Sequence, residues 1–153
     1  MDLRTLISPD ICRIPMQSSD RQSAIDELID HLAALGKVKD PKRITKIVWE
    51  REMQRTTGIG EGLAVPHGRC PSLESLTIAM GVPAQPIDFQ SFDKKPVQFI
   101  VLVLSPEEAI TDHVQVLGAV SRLMADPGFR RRAFAVEDSQ QLCDLFLESL
   151  QTN

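Results

Sequence analysis

Val97-Gln98-Phe99-Ile100-Val101-Leu102-Val103-Leu104 is apolar at every position but one. A strand with one wet face alternates apolar and polar residues. This one does not, so it reads as a strand covered by helices on both faces, ended by Pro106. Outward from it, helix signals resume at Asp112, with Val116, Leu117, Val120, Leu123 and Met124 in phase, and stop at Asp126-Pro127. A last helix, capped near Ser139, carries Leu142, Leu145, Phe146 and Leu150. Upstream, Leu76 to Val82 is a second strand, Leu63 to Val65 a short one, and Ile11 to Met16 a first one. Between them, Asp20 caps a helix with Ile25, Leu28, Ile29, Leu32 and Leu35 on one side, ending at Gly36. Asp40-Pro41 reads as the cap and first position of another helix, which turns Ile44, Ile47, Val48 and Trp49 inward and runs out near Thr56-Thr57. Helices between apolar strands give an α/β class and a three-layer domain.

The bulk properties narrow the function. The 153 residues suit one domain, 1–153, large enough to bury a core. A net charge of −4 and the absence of a basic stripe exclude a nucleic-acid binder. Arg130-Arg131-Arg132, the one basic cluster, reads as a solvated helix face. The apolar run Phe99 to Leu104 is far too short to span a membrane, so direct membrane insertion is not expected. Met1-Asp2-Leu3-Arg4 lacks the layout of a signal peptide, and Cys12, Cys70 and Cys143 have no short pairing motif. Reduced thiols and a cytoplasmic location are therefore expected.

The chemistry concentrates in Thr57-Gly58-Ile59-Gly60-Glu61-Gly62-Leu63-Ala64-Val65-Pro66-His67-Gly68-Arg69. Three glycines at alternate positions open the backbone to conformations and close approaches that side chains block. His67 stands between Pro66 and Gly68. Proline biases Val65 towards an extended conformation, and imidazole is a nucleophile at neutral pH. Gly68 is expected to leave room for an incoming group, with the local N–H facing it. A phosphoryl group is the natural candidate. Arg51 and Arg69 offer planar forks to phosphate oxygens, although arginines at a helix end or in a loop are commonly just solvated. His113 has two readings, a phosphate-stabilising side chain or a packed residue at a helix start, where Asp112 is itself a good N-cap. His31, inside an apolar-periodic helix, reads as structural. Glu61 opposes a phosphate and is expected to point to solvent.

Other chemistries fit poorly. Gly58-x-Gly60-x-Gly62 matches neither the dinucleotide fingerprint nor the Walker loop. His67 and Cys70 form one His-x-x-Cys pair where a zinc site needs four ligands, so no metal is expected. Ser8, Ser72 and Ser75 lack a nucleophile elbow. No cofactor is implied.

The run from Thr57 to Arg69 resembles the phosphohistidine loop of the mannitol/fructose-class enzyme IIA domains of the bacterial sugar phosphotransferase system, and of their nitrogen-type regulatory relatives. The likeness includes the Arg51-Glu52 pair, the strand Val97 to Leu104 and the His-x-x-x-Leu helix start at His113 to Leu117. It implies a mixed β-sheet flanked by helices, with His67 at the end of a strand and modified on Nε2. It also implies His113 beside it, bonding the phosphoryl group, and an arginine at the Arg51 position near the site. The implied donor is an HPr-type phosphohistidine protein. Transfer between proteins brings two histidines together with water excluded, so the donor is expected to dock on an apolar surface around His67, with Ile59 and Leu63 either as contacts or as core. Two fates follow for the phosphoryl group: transfer to an enzyme IIB for sugar uptake, or use as a signal to a regulated protein. No IIB, IIC or HPr-like segment is attached, a layout usual for the nitrogen-type regulator, which makes that branch the expectation.

Overall fold

The computed structural model of the chain describes residues 2–151. Its centre is β6 (Phe99–Pro106), buried at every residue, which is the outcome expected for an unbroken apolar run. On one side β5 (Thr77–Pro83) pairs with it antiparallel, from Thr77 opposite Leu104 to Gly81 opposite Ile100. On the other side two short strands share its edge in succession, both parallel to it. They are β3 (Leu63–Ala64), opposite Phe99 and Ile100, and β4 (His67–Cys70), opposite Val103 to Pro106. The edges are β1 (Cys12–Met16), parallel to β5, and β2 (Gly58–Gly60), antiparallel to β3. Pro15 falls on that outer strand, where a missing N–H is tolerated. The sheet is mixed, as the family resemblance implied.

Among the described residues five helices cover it. In α1 (Arg21–Ala34) the Asp20 carboxylate accepts from the Ser23 N–H at 2.8 Å, and Ala24, Ile25, Leu28, Ile29 and Leu32 form the buried stripe. In α2 (Pro41–Gln54) Asp40 caps and proline takes the first position, as read; Ile44 and Val48 are buried, and so is Glu52. The third helix, α3 (Ile110–Met124), starts earlier than expected. Its N-cap is Ala109, with no side-chain bond, and Asp112 lies inside the first turn, where its charge complements the helix dipole.

Asp126-Pro127 is a start as well as a stop: Asp126 accepts from the Gly128 N–H at 3.0 Å and opens α4 (Pro127–Ala135). In α5 (Ser139–Gln151) the capping carboxylate is that of Asp138, which accepts from Gln141 N–H at 2.9 Å. The Ser139 hydroxyl bonds the Cys12 carbonyl instead.

Successive residues of β4 meet helices on opposite sides. Gly68 faces Ile47 and Val48 of α2, whereas the His67 ring lies beside His113 of α3. Helices α1 and α2 pack together on the first side. On the second, α4 bridges α3 and α5, with Phe129 edge-on to both Phe99 and Phe146. No helix among the described residues is long and apolar enough to cross a membrane.

Candidate phosphoryl-transfer site

The glycines between Thr57 and Arg69 shape the hairpin and strand that lead to His67. Glu61 and Gly62 are the two central residues of the β2–β3 hairpin, with φ of 58° and 81°, and Gly60 before them has φ of 93°. A two-residue hairpin with positive φ at both centres matches the natural twist of the strands. Glu61 is directed away from the site: its N–H donates to Asp93 at 2.8 Å and its carboxylate lies 3.3 Å from the Lys95 ammonium. Gly68 corrects the sequence reading. A Cβ there would meet Val48 Cγ2 at 3.1 Å and Ile47 Cγ2 at 3.2 Å, so this glycine admits α2 and leaves no room for an incoming group.

Pro66 breaks the edge between β3 and β4, because it has no N–H to offer β6. The freed Val65 turns both its backbone groups to use. Its N–H donates to the Thr57 carbonyl at 3.0 Å, and its carbonyl lies 2.8 Å from His67 Nδ1. A carbonyl only accepts, so Nδ1 carries the proton and Nε2 keeps a free lone pair. Burial lowers the His67 pKa, and the Arg51 charge lowers it further, against the Val65 bond and the Glu52 charge. The ring is therefore neutral and nucleophilic at physiological pH.

His113 is buried in the first turn of α3, its ring centroid 5.5 Å from that of His67. Its Nδ1 is 2.6 Å from the Oγ of Ser105, which is wholly buried at the end of β6. Burial lowers its pKa too, followed by the neighbouring His67 and Arg69. Arg69, two residues along β4, shares the His67 face of the strand and is exposed. Arg51 sits in the last turn of α2, half-buried, with Nη1 donating to the Arg55 carbonyl at 3.1 Å. The four residues singled out from sequence thus converge: Arg51 acts electrostatically on His67, and Arg69 on His113.

Arg51 and His67 line an open cleft of about 580 Å³ with Val65, Ile59, Phe92 and Leu117. Its lining mixes these apolar side chains with Arg55, Thr56, Gln90 and Ser121; Phe92 is 99% exposed and Ile59 is exposed, as are Ile110 and Val114 on α3. Of the two loop residues read as contact or core, Leu63 is core and Ile59 is exposed. Sequence reading missed Ser105, whose only signal is a hydroxyl closing an apolar strand. It also missed Phe92, and the burial of Glu52.

The remaining candidates have structural roles. His31 Nε2 is 2.7 Å from the Asp10 carbonyl and ties α1 to the turn before β1. Arg130 donates to the Met124 and Ala125 carbonyls at the end of α3, and Arg132 pairs with Glu148 at 3.4 Å. The three cysteines are free and buried; burial pushes Cys12 up to about 12 and Cys70 to about 11, which suppresses thiolate chemistry. Among the described residues no group of three or more His, Cys, Asp or Glu is placed to hold a metal ion.

Comparison with known proteins points the same way. The family model "Phosphoenolpyruvate-dependent sugar phosphotransferase system, EIIA 2" matches residues 5–149. A nitrogen regulatory protein of Bradyrhizobium diazoefficiens is 30% identical over 142 residues, covering 93% of this chain and 92% of its own. A fructose-specific EIIA component of Haloferax volcanii is 28% identical over 150 residues, covering 98% and 97%. Among solved structures, the nitrogen regulatory protein IIA-Ntr of Neisseria meningitidis superposes with a TM-score of 0.86 at 22% identity, covering 94% and 97% of the two chains. The mannitol enzyme IIA of Escherichia coli, solved in complex with phosphorylated enzyme IIB, gives 0.78 at 17% identity, covering 96% and 98%. The chain belongs to the EIIA type-2 family and is a phosphotransferase-system component with that family's mixed-sheet α/β fold.

Proposed function

We propose that His67 is the phosphoryl acceptor of this EIIA protein, that the donor is an HPr-type phosphohistidine protein, and that the phosphorylation state serves as a nitrogen-type regulatory signal. The observation that carries the assignment is the Val65 carbonyl on Nδ1, which leaves Nε2 as the nucleophile. In the transfer, the Nε2 lone pair forms a new P–N bond as the donor's P–N bond breaks, and that electron pair returns to the donor imidazole. His67 exchanges no proton, because Nδ1–H stays on Val65. Charge on the equatorial oxygens meets the Arg51 and Arg69 guanidinium groups and, with Ser105 donating to its Nδ1, an Nε2–H on His113. The donor docks on the apolar rim of Ile59, Phe92, Ile110 and Val114, which excludes water from the reacting centres.

The full-length likeness to a nitrogen regulatory protein supports the regulatory branch. The likeness to a fructose-specific component supports a second reading, in which an enzyme IIB takes the phosphoryl group for sugar uptake. Free, buried thiols support work in the cytoplasm. The test is labelling with phosphoenolpyruvate, enzyme I and HPr, repeated with the nitrogen-branch donors, then partner capture with phosphorylated and unmodified protein. A partner bound only to one state and not phosphorylated supports the signal. If the only state-dependent partner is an enzyme IIB that accepts the group, the transport reading replaces it.

A further inference from the structure

Glu52 is an acidic side chain with 1% exposure at the end of α2, one residue from Arg51 but on the inner face of the helix. A buried carboxylate is costly unless its oxygens are satisfied, and here both are. Oε2 accepts from the Thr57 N–H at 2.8 Å, and Oε1 from the Thr57 hydroxyl at 2.6 Å. Arg21 lies 3.5 Å from Oε2, with its guanidinium 5.1 Å from the centre of the Trp49 ring. Thr57 is thereby gripped by two short bonds at the mouth of the glycine hairpin. Its carbonyl is the acceptor for Val65 N–H, and the Val65 carbonyl is the acceptor for His67 Nδ1–H. An unbroken series of bonds therefore runs from the carboxylate to the reacting imidazole.

We propose that Glu52 is a positioning residue for phosphoryl transfer: by holding Thr57 it fixes the Val65 carbonyl that selects the Nδ1–H tautomer of His67 and aims Nε2 at the cleft. Arg21 is the counter-ion that keeps the buried carboxylate in place. Glu52 cannot touch the donor, because it has no surface to offer. Its loss therefore acts on the transfer step and not on docking. This rests on His67 being the acceptor, and the first readout below needs no donor, so the two claims fail separately.

The experiment records ¹⁵N shifts of the His67 ring in wild type, Glu52→Ala, Glu52→Gln and Thr57→Val, and then phosphorylation kinetics against donor concentration. Wild type is expected to show one protonated Nδ1 and one bare Nε2. In a folded Glu52→Ala the two shifts converge as tautomers exchange. The maximal transfer rate falls on the order of tenfold or more, while half-saturation by donor is unchanged. Glu52→Gln, which retains one acceptor, recovers part of both. Thr57→Val, which removes only the hydroxyl bond, moves both the same way by less, and it decides the matter if Glu52→Ala does not fold. A wild-type tautomer and rate in folded Glu52→Ala, or in Thr57→Val where the alanine variant fails to fold, overturns the proposal.

Discussion

Replacing Gly68 by alanine separates two accounts of the residue beside the reactive histidine. If the glycine exists to admit an incoming group, the variant keeps its stability and loses only phosphorylation. The structure says otherwise. The new Cβ would stand 3.1 Å from Val48 Cγ2 and 3.2 Å from Ile47 Cγ2, against a comfortable carbon–carbon separation of about 3.5–4.0 Å. The two methyls must give by a few tenths of an ångström, and because β-branched side chains are stiff at χ1 the strain passes to strand and helix, which part slightly. Overpacking of this kind costs about 1–3 kcal/mol, and alanine recovers about 0.4–1 kcal/mol by restricting the unfolded chain. The difference spans about 0–2.6 kcal/mol; a mid-range net loss of roughly 1–2 kcal/mol corresponds, for a domain of this size, to a fall in Tm of about 2–8 °C. Since α2 carries Arg51 and β4 carries His67, the same parting slows phosphorylation. Calorimetry and labelling on one preparation provide the assay. A companion, Gly68→Ala with Val48→Ala, removes the methyl that the new Cβ strikes. It should be less destabilised than the sum of its parts, by about 0.5 kcal/mol or more. An unchanged or raised Tm in Gly68→Ala, or strict additivity in the pair, refutes the packing argument.

Other expectations follow from the same geometry. Because burial and Arg51 both lower the His67 pKa, the transfer rate should hold constant through neutral pH and fall only in acid below the ordinary histidine value of about 6.5; Arg51→Gln should move that acid limb to higher pH, seen in a pH–rate profile. His67 and His113 both have lowered folded-state values, so the unfolded chain binds more protons in that range. Stability should be full above about pH 6.5 and decline as pH falls through the lowered values, measured by denaturant melts from pH 8 to 5. His113→Ala and Arg51→Ala should each slow transfer about a hundredfold, about 3 kcal/mol, without moving the modified residue. Wild-type rates in stopped labelling would make both bystanders.

Much of this architecture can be read from residue order alone. The uninterrupted run Phe99 to Leu104 announces a strand covered on both faces, and Asp20 and Asp40-Pro41 mark helix starts by local chemistry that tertiary contacts leave intact. The errors have physical causes. Asp126-Pro127 ends one helix and begins another, because the residues that cap and start a helix also interrupt the one before. Asp112 looks like a cap but lies inside the first turn of α3, since an acidic residue is favourable in either place. The role of Gly68 depends on Ile47 and Val48, some twenty residues earlier, and Ser105 matters only because His113 folds back onto it. Glu52 is the clearest case. Residue order shows only that it follows Arg51, and the packing of α1 against α2 is what brings Arg21 to it and encloses both.

The account stands on one atom. Wild-type protein with ¹⁵N-labelled histidine, phosphorylated to completion by the donor mixture, should show a single phosphoramidate in ³¹P and ¹⁵N spectra, bonded to His67 Nε2, with Nδ1 still protonated. The bond should be labile in acid and stable in alkali, and the signal absent from His67→Gln. Phosphorus on Nδ1, on any other residue, or persisting in folded His67→Gln contradicts it.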